Sequence, residues 1–289
     1  IMKKIVLLPM DERPCNYKFP KRLFENEEIQ IIEPEQLGFK KDGADYQAIK
    51  EFLCKECKDA YGLIISMDML LYGGLIPSRI HHQDEEILIK KLETIKELRR
   101  KNPNLKIFAF QCIMRCPSYS SSDEEPDYYE EYGKQIHDLG EAVNMHQVGI
   151  SQGQRISELT KEIPEEYIED FISRREINRQ MNMNVIDLLQ EGYLDSLIIP
   201  QDDSTTYGYP AMDQKVIREK IQELGLIDRV LIYPGADEVE LTLFARMLNT
   251  IKGECPKVYV KYACEKSKQI IPLYEGFPLD STVSYHILS

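Results

Sequence analysis

Short apolar runs alternate with longer amphipathic segments along most of the chain. The apolar runs have the length and composition of buried strands, and the amphipathic segments repeat apolar residues at helical spacing. This alternation is typical of a parallel β-sheet covered by α-helices. It predicts seven strands, near residues 3–9, 29–33, 62–66, 106–112, 195–200, 229–233 and 257–262. It predicts helices near residues 18–26, 44–58, 84–101, 126–145, 151–160, 164–191, 211–224 and 236–252.

Five of the predicted strands end in a polar loop that carries acidic, amide or arginine side chains. Because the carboxyl ends of parallel strands meet at one edge of a sheet, we expect these side chains to surround a single binding site. The loops contain, in chain order, Asp11 and Arg13, then Asp68 with Tyr72 and Arg79, then Arg115, then Asp202-Asp203, and finally Asp237-Glu238.

Two arrangements of a parallel sheet are compatible with these loops. In a (β/α) barrel every strand end faces one central mouth, whereas in an open doubly wound sheet only the strands beside the topological switch reach the crevice. Because five loops carry polar side chains, we predict an α/β fold with a barrel-like sheet, complete or incomplete. The doubly wound open sheet is the alternative, since seven predicted strands are one fewer than a full barrel needs.

One long segment departs from the alternation of strands and helices. Residues 113–194 begin with a polar loop and continue as about three helices, so we predict a helical insertion within an α/β domain that spans residues 1–262. Such an insertion commonly forms a lid or one wall of a cleft. Residues 263–289 carry few helix signals and end in a strand-like run at 283–288. We predict that they form the start of a second domain or a carboxyl-terminal extension.

The composition indicates which binding partners and which cellular location to expect. With 36 basic and 49 acidic residues the net charge is −13, which argues against binding to a nucleic acid backbone. No apolar stretch is long enough to span a bilayer, and the first residues do not resemble a secretory signal, so we expect no membrane partner. Seven cysteines without disulfide-type spacing are typical of reduced thiols. We therefore expect a cytoplasmic protein.

Two pairs of adjacent acids are the strongest candidates for catalysis. Asp202-Asp203 and Asp237-Glu238 each follow an apolar strand within a few residues. Adjacent residues of an extended chain point in opposite directions, so one member of each pair can face a cleft while the other anchors its loop. Two cleft carboxylates with differently tuned pKa values are the groups that glycoside hydrolysis uses. The competing interpretation is that Asp203 and Asp237 cap the helices that follow them.

Further polar residues near the strand ends are candidates for substrate binding. The guanidinium of Arg115 has the geometry to clamp a carboxylate or sugar hydroxyl groups. Arg175 and Asn178 share one face of a predicted helix, although such a face is usually solvated. For Arg13 the alternative is an internal ion pair with its acidic neighbours. The substrate-binding candidates are Asp11, Arg13, Asp68, Tyr72, Arg79, Arg115, Arg175, Asn178 and Tyr207.

Metal and cofactor chemistry has few sequence signals in this chain. The zinc-binding spacing His-Glu-x-x-His and the glycine-rich phosphate loops are both missing from the sequence. We therefore predict no cofactor and no bound metal. A divalent cation is the alternative, because oxygen ligands suit Mg²⁺, Mn²⁺ or Ca²⁺. Its ligands would be Asp11, Asp68, Asp202 and Asp237.

The strand-end loops resemble those of the bacterial domain-of-unknown-function 4127 family. The matching segments are residues 8–14, 68–75 with Ser78-Arg79, Met114-Arg115, Arg174-Arg175 with Asn178, 201–204 with Tyr207-Gly208, and 233–238 with Arg246. Met10 and Glu12 depart from the family pattern, which has Leu and Asp at these positions. The resemblance is to the amino-terminal portion of the family and implies a longer parent protein. It implies no activity, since the family has no assigned function.

A second, shorter similarity suggests a reaction. Residues 234–238 resemble the strand-end Gly-Asp-Glu of hexosaminidase-type glycosidases, which implies Glu238 as general acid and Asp237 as the residue that assists an acetamido group. We therefore predict a hydrolase of a small polar, carbohydrate-like substrate, with Glu238 as acid/base and Asp202 or Asp203 as the second carboxylate. One alternative is a Mg²⁺- or Mn²⁺-dependent hydrolase. The other is a non-catalytic sugar- or polyol-binding domain of a larger protein.

Overall fold

Six parallel strands form one sheet in the computed structural model, which describes residues 2–202, 205–273 and 275–289. Neighbouring strands pair in parallel register, so that Leu8 lies beside Ile65, and Ser66 lies beside Phe110. The strands are β1 (Lys3–Leu8), β2 (Ile29–Ile32), β3 (Gly62–Ser66), β4 (Lys106–Phe110), β5 (Ser196–Gln201) and β6 (Val230–Pro234).

The sheet is open, with the strand order β2-β1-β3-β4-β5-β6. The chain leaves β1 for one edge, returns past β1 to form β3, and then adds the remaining strands in sequence. The predicted α/β fold, a parallel sheet with alternating helices, is confirmed. The sheet does not close, so the preference for a barrel-like form was wrong and the alternative, a doubly wound open sheet, is correct. The expected strand at 257–262 is also wrong. These residues form an irregular segment in which Tyr259 is 88% exposed, so they add no strand to the edge at β6.

Helices follow most of the strands and cover both faces of the sheet. Among the helices of the described residues, none combines the length and the hydropathy that crossing a bilayer requires. The helices are α1 (Pro14–Tyr17), α2 (Phe19–Phe24), α3 (Tyr46–Glu56), α4 (Met67–Tyr72), α5 (Leu75–Ile80), α6 (Glu85–Lys101), α7 (Tyr129–Gln147), α8 (Gly153–Glu162), α9 (Glu165–Gln190), α10 (Tyr209–Glu223), α11 (Val239–Lys252) and α12 (Leu279–Leu288), with a 3₁₀-helix at Glu265–Gln269.

Alternating side chains of the strands divide the core into two layers. Leu63 and Ile65 of β3 face a layer that contains α3, α4, α6, the second half of α9 and α10. Ile64 faces the opposite layer, in which it packs with α11 and with Phe24 of α2. Because apolar side chains cover both faces, the strands are almost entirely buried, as is usual for parallel sheets.

The helical segment between β4 and β5 builds a third apolar cluster beside the sheet. Helices α7 and α8 and the first half of α9 contribute to it, and Tyr129, Phe171 and Tyr209 pack at its centre. The second half of α9 continues into the main core, where Met181 and Val185 are fully buried. The division of the chain into residues 1–262 and 263–289 stays a prediction.

The helices differ from the predicted ones mainly at two places. Residues 283–288 belong to helix α12 and not to a strand. Helices α4 and α5 follow β3 where a loop was expected. The Ser66 hydroxyl caps α4 by accepting a hydrogen bond of 3.1 Å from Met69 N, and Gly73 ends it with a left-handed φ of 89°.

The open topology determines where a ligand can bind. In a doubly wound sheet, ligands bind beyond the carboxyl ends of the strands, beside the point where the strand order reverses. Here that point lies between β1 and β3, and Asp11 and Asp68 follow these two strands.

The packing of α7 on α10 gives a first prediction. A Cβ atom on Gly140 would lie 2.4 Å from the ring of Tyr209, which is almost completely buried. We expect Gly140→Ala to lower the free energy of unfolding by about 1–3 kcal/mol through overpacking, measured by urea denaturation. Gly153→Ala is the matched control, because nothing lies within 4 Å of the added methyl group. Equal stability of the two variants would contradict this account of the packing.

Candidate functional site

A cleft of about 490 Å³ lies beyond the carboxyl ends of the strands. It is called the central cleft below. Its charged lining comes from the ends of β1, β5 and β6, from helix α5, and from the loops between β2 and α3 and between β4 and α7. These residues are Asp11, Glu12, Arg13, Lys40, Arg79, Arg115, Asp123, Glu124, Glu125, Asp202 and Asp237. A larger hollow of about 1020 Å³ lies between α11, residues 253–260 and α12, and none of the predicted site residues lines it.

Arg13 joins the ends of the first and the last strand. Its Nε donates to Asp11 Oδ2 at 2.8 Å, and its two Nη atoms donate to the carboxylate of Asp237 at 2.7 and 3.2 Å. Asn16 Nδ2 donates to Asp11 Oδ1 at 2.8 Å, which fixes the buried aspartate. Burial lowers the pKa of Arg13, but the two carboxylates outweigh it and raise that pKa. The internal ion pair expected for Arg13 is present, and it lines the cleft.

Arg79 occupies the middle of the same network, although its side chain is only 2% exposed. Its Nη2 donates to Asp202 Oδ2 at 2.7 Å, which connects helix α5 to the end of β5. Its Nη1 donates to Glu124 Oε2 at 3.1 Å. A charge this deeply buried needs carboxylate partners, because an unpaired buried ion costs several kcal/mol.

Arg115 shares its carboxylate partners with Arg79. Its Nε donates to Glu125 Oε1 at 2.8 Å, and its Nη2 donates to Glu124 Oε2 at 2.8 Å. Burial raises the pKa of Glu125, while the guanidinium groups of Arg79 and Arg115 oppose that shift. The sequence interpretation missed both glutamates, since they lie in a polar loop without periodicity. Their adjacency, nine and ten residues after Arg115, was the only available signal.

Asp68 and Tyr72 lie beneath the central cleft and do not line it. Asp68 is 2% exposed, and its Oδ2 accepts a hydrogen bond of 2.9 Å from Cys112 N at the end of β4. Burial raises the pKa of Asp68 to about 7, so this carboxyl group is partly protonated at neutral pH. Tyr72 is buried and its ring stacks on that of His81, with 4.5 Å between the ring centroids.

Arg175 and Asn178 lie behind the wall of the cleft. Arg175 Nη1 donates to the carbonyl oxygen of Arg115 at 3.0 Å, Nη2 donates to that of Met114, and Nε pairs with Asp213 at 2.7 Å. Asn178 Nδ2 donates to the carbonyl oxygen of Ser78 at 2.7 Å. The shared helix face predicted for these residues is present, but it holds the backbone that carries Arg79 and Arg115.

The remaining candidates lie outside the cleft or outside the described residues. Glu238 begins helix α11, and its Oε1 lies 3.2 Å from Nε2 of His286 on α12. This hydrogen bond raises the pKa of His286, although burial opposes it. Tyr207 does not line the cleft, and its carbonyl oxygen accepts a hydrogen bond from Thr205. Asp203 lies outside the described residues. The roles assigned to Glu238, Tyr207 and Asp203 stay predictions.

Glu240 is a buried acid that the sequence interpretation missed. It is completely buried on α11, and its Oε1 accepts a hydrogen bond of 2.8 Å from Met10 N at the end of β1. Burial raises its pKa well above the ordinary value for glutamate, although the hydrogen bond from Met10 N opposes that shift. An acid placed inside a mostly apolar helix was the available signal for it.

The geometry can also be compared with metal and nucleophile sites. Among the described residues, the acids of the central cleft do not bring three ligand atoms close enough to share an ion. The group that does is His137, Asp138 and Glu141 on helix α7. Residues 149–153 have the spacing Gly-x-Ser-x-Gly of a nucleophile elbow, but they join two helices and not a strand to a helix.

Residues 5–289 match the model of one protein family, described as "Protein of unknown function (DUF4127)". The chain belongs to the DUF4127 family. The match confirms the resemblance seen in the strand-end loops and covers nearly all residues of this chain. Neither a curated protein nor a solved structure matches it.

The buried Asp68 of this DUF4127 protein gives a prediction for stability. Because its folded-state pKa of about 7 exceeds the ordinary value of 3.8, its protonated form stabilises the fold at low pH. That contribution is lost as the pH rises through 7. We expect Asp68→Asn, which keeps an acceptor for Cys112 N, to gain stability over the parent chain between pH 5 and pH 9. The gain is about 3 kcal/mol, because about two pH units separate pH 5 from the folded-state pKa, and it is measured by denaturant titration.

The exposed aspartate Asp228 supplies the control for this experiment. Asp228→Asn also replaces an aspartate by asparagine, but at an exposed position, so it controls for the loss of a negative charge. If the stability difference between Asp68→Asn and the parent chain is the same at both pH values, Asp68 does not hold a proton in the folded protein.

Proposed function

We propose that this protein is a hydrolase of a small, polar, carbohydrate-like substrate, and that the reaction takes place in the central cleft. The observation that carries the proposal is the arrival of carboxylates from three separate strand ends, Asp11, Asp202 and Asp237, in one cleft with three arginines. Carboxylates and guanidinium groups are suited to binding hydroxyl-rich molecules. A volume of about 490 Å³ lies within the usual range of small-molecule sites.

Asp202 and Asp237 are the best pair of reacting carboxylates. They follow adjacent strands, because β5 pairs with β6. Arg79 and, at 3.9 Å, Arg115 pair with Asp202, and Arg13 pairs with Asp237. An arginine partner fixes the orientation of the carboxylate. In the reaction, one carboxyl group gives a proton to the departing glycosidic oxygen while the other accepts a proton from the attacking water. Asp11, which is buried and accepts three hydrogen bonds, is assigned a positioning role.

The charge of the lining favours a second candidate, a Mg²⁺- or Mn²⁺-dependent form of the same hydrolase. The described residues around the central cleft include seven acidic and four basic side chains. This excess of carboxylates suits a hard cation, which a substrate can bring with it. Stimulation of turnover by Mg²⁺ or Mn²⁺, and its loss with a chelator, would favour this candidate.

A panel of chromogenic glycosides tests the proposal. We expect the protein to hydrolyse at least one member of the panel. Asp202→Asn and Asp237→Asn should each lower kcat/KM by about 100-fold or more, because each removes a carboxylate that acts in the transition state. Glu238→Gln, whose side chain faces His286 outside the cleft, should retain turnover within about threefold.

Three outcomes would contradict the proposal in different ways. If Glu238→Gln loses turnover and Asp202→Asn retains it, the reaction takes place at the start of α11 and not in the central cleft. Unchanged turnover in all three variants would show that the reaction does not take place in the central cleft. Sugar binding without turnover, measured by calorimetry, would instead indicate a non-catalytic binding domain.

A further inference from the structure

One carboxylate of the central cleft differs from the others in how it is held. Glu124 reaches two guanidinium groups at once, at 3.1 Å from Arg79 and 2.8 Å from Arg115. Its side chain is nevertheless 49% exposed, whereas that of Glu125 is 1% exposed. Glu125 is therefore a permanent counter-ion in the protein interior. Glu124 is bound at the surface of the cleft, where water can replace it.

The two arginines form an anion site that does not depend on Glu124 for its shape. Arg79 and Arg115 are both more than nine-tenths buried, and Asp202 and Glu125 hold them from below. Arg79 Nη1 and Arg115 Nη2 both donate to the same oxygen, Oε2 of Glu124. Guanidinium groups in this arrangement bind carboxylates with directional, charge-assisted hydrogen bonds.

The loop that carries Glu124 is anchored on both sides of this residue, by Ser122 before it and by Glu125 after it. Residues 118–125 have no regular secondary structure and enter helix α7 at Tyr129. Ser122 is tied to Glu130 of that helix through its N–H and hydroxyl groups, at 2.8 and 3.0 Å. A rotation of the half-exposed Glu124 side chain, with Glu125 kept in place, therefore removes its carboxylate from the arginines without moving either strand end.

We propose that Glu124 occupies the binding site of a substrate carboxylate between Arg79 and Arg115, and that a sugar acid displaces it. This inference rests on the proposed function for the sugar part of the ligand. The exchange replaces one carboxylate by another, so the charge around the two guanidinium groups is unchanged. Tyr119, which lines the same cleft and is half exposed, offers its ring face to the sugar.

Glu124 therefore lowers the affinity of the protein for the sugar acid, because the two compete for the same arginines. A ligand that binds only the fraction of molecules in which Glu124 is displaced has its affinity reduced by that fraction. Burial raises the pKa of Glu124, but Arg79 and Arg115 outweigh this effect and lower it, so the competing carboxylate stays ionised at neutral pH.

Calorimetric titration with glucuronate tests the proposal, with glucose as the neutral counterpart of the same size. We expect Glu124→Ala to bind glucuronate about tenfold or more tightly than the parent chain does. Glucose binding should change by less than about threefold, because glucose has no carboxylate to occupy the site.

Asp123→Ala is the matched control. Asp123 lies in the same loop and lines the same cleft, but it forms no ion pair among the described residues. If both variants bind glucuronate equally more tightly, the effect is general electrostatics and the proposal fails. It also fails if Glu124→Ala gains nothing, or if it gains affinity for inorganic phosphate and none for glucuronate. Because binding is measured without turnover, a failure to find hydrolysis leaves this test intact.

Discussion

Two buried guanidinium groups, those of Arg79 and Arg115, impose the main constraint on this protein. A charge that is more than nine-tenths buried must be neutralised nearby, since leaving it unpaired costs several kcal/mol. The partners come from distant parts of the chain, namely Asp202 after β5 and Glu124 and Glu125 before α7. Meeting this requirement brings strand ends and loop together, and the cleft is the space that remains between them.

The open sheet makes this assembly possible because all its strands are parallel and end at one edge. Arg13 extends the network from β1 to β6, across the full set of strands beyond the switch point. Behind it, Arg175 fixes the backbone that carries Arg115. The same polar groups therefore stabilise the fold and line the candidate site. A substitution at one of them is expected to affect both stability and function.

Local patterns in the sequence were sufficient to predict six of the seven expected strands and their polar ends. Of the residues predicted to share one site, Asp11, Arg13, Arg79, Arg115, Asp202 and Asp237 line one cleft, whereas Asp68 and Tyr72 lie beneath it. Local patterns could not predict whether the sheet closes into a barrel, because closure depends on whether the two edge strands pair with each other. An exposed segment around Tyr259 has the composition of a strand without a partner. Glu124, Glu125 and Glu240 were missed because their positions follow from tertiary contacts. The helix face with Arg175 was recognised from its spacing, but neither its burial nor its contacts with the backbone could be predicted.

A double-mutant cycle on the free energy of unfolding tests the central claim, that one set of guanidinium groups is shared by carboxylates from different elements. Asp202→Asn and Glu125→Gln each leave Arg79 two carboxylate partners, whereas the double variant leaves it only the half-exposed Glu124. The account predicts that the double variant loses more stability than the sum of the single losses, by about 1 kcal/mol or more. Additivity within about 0.5 kcal/mol would show that the carboxylates are neutralised separately and would contradict it.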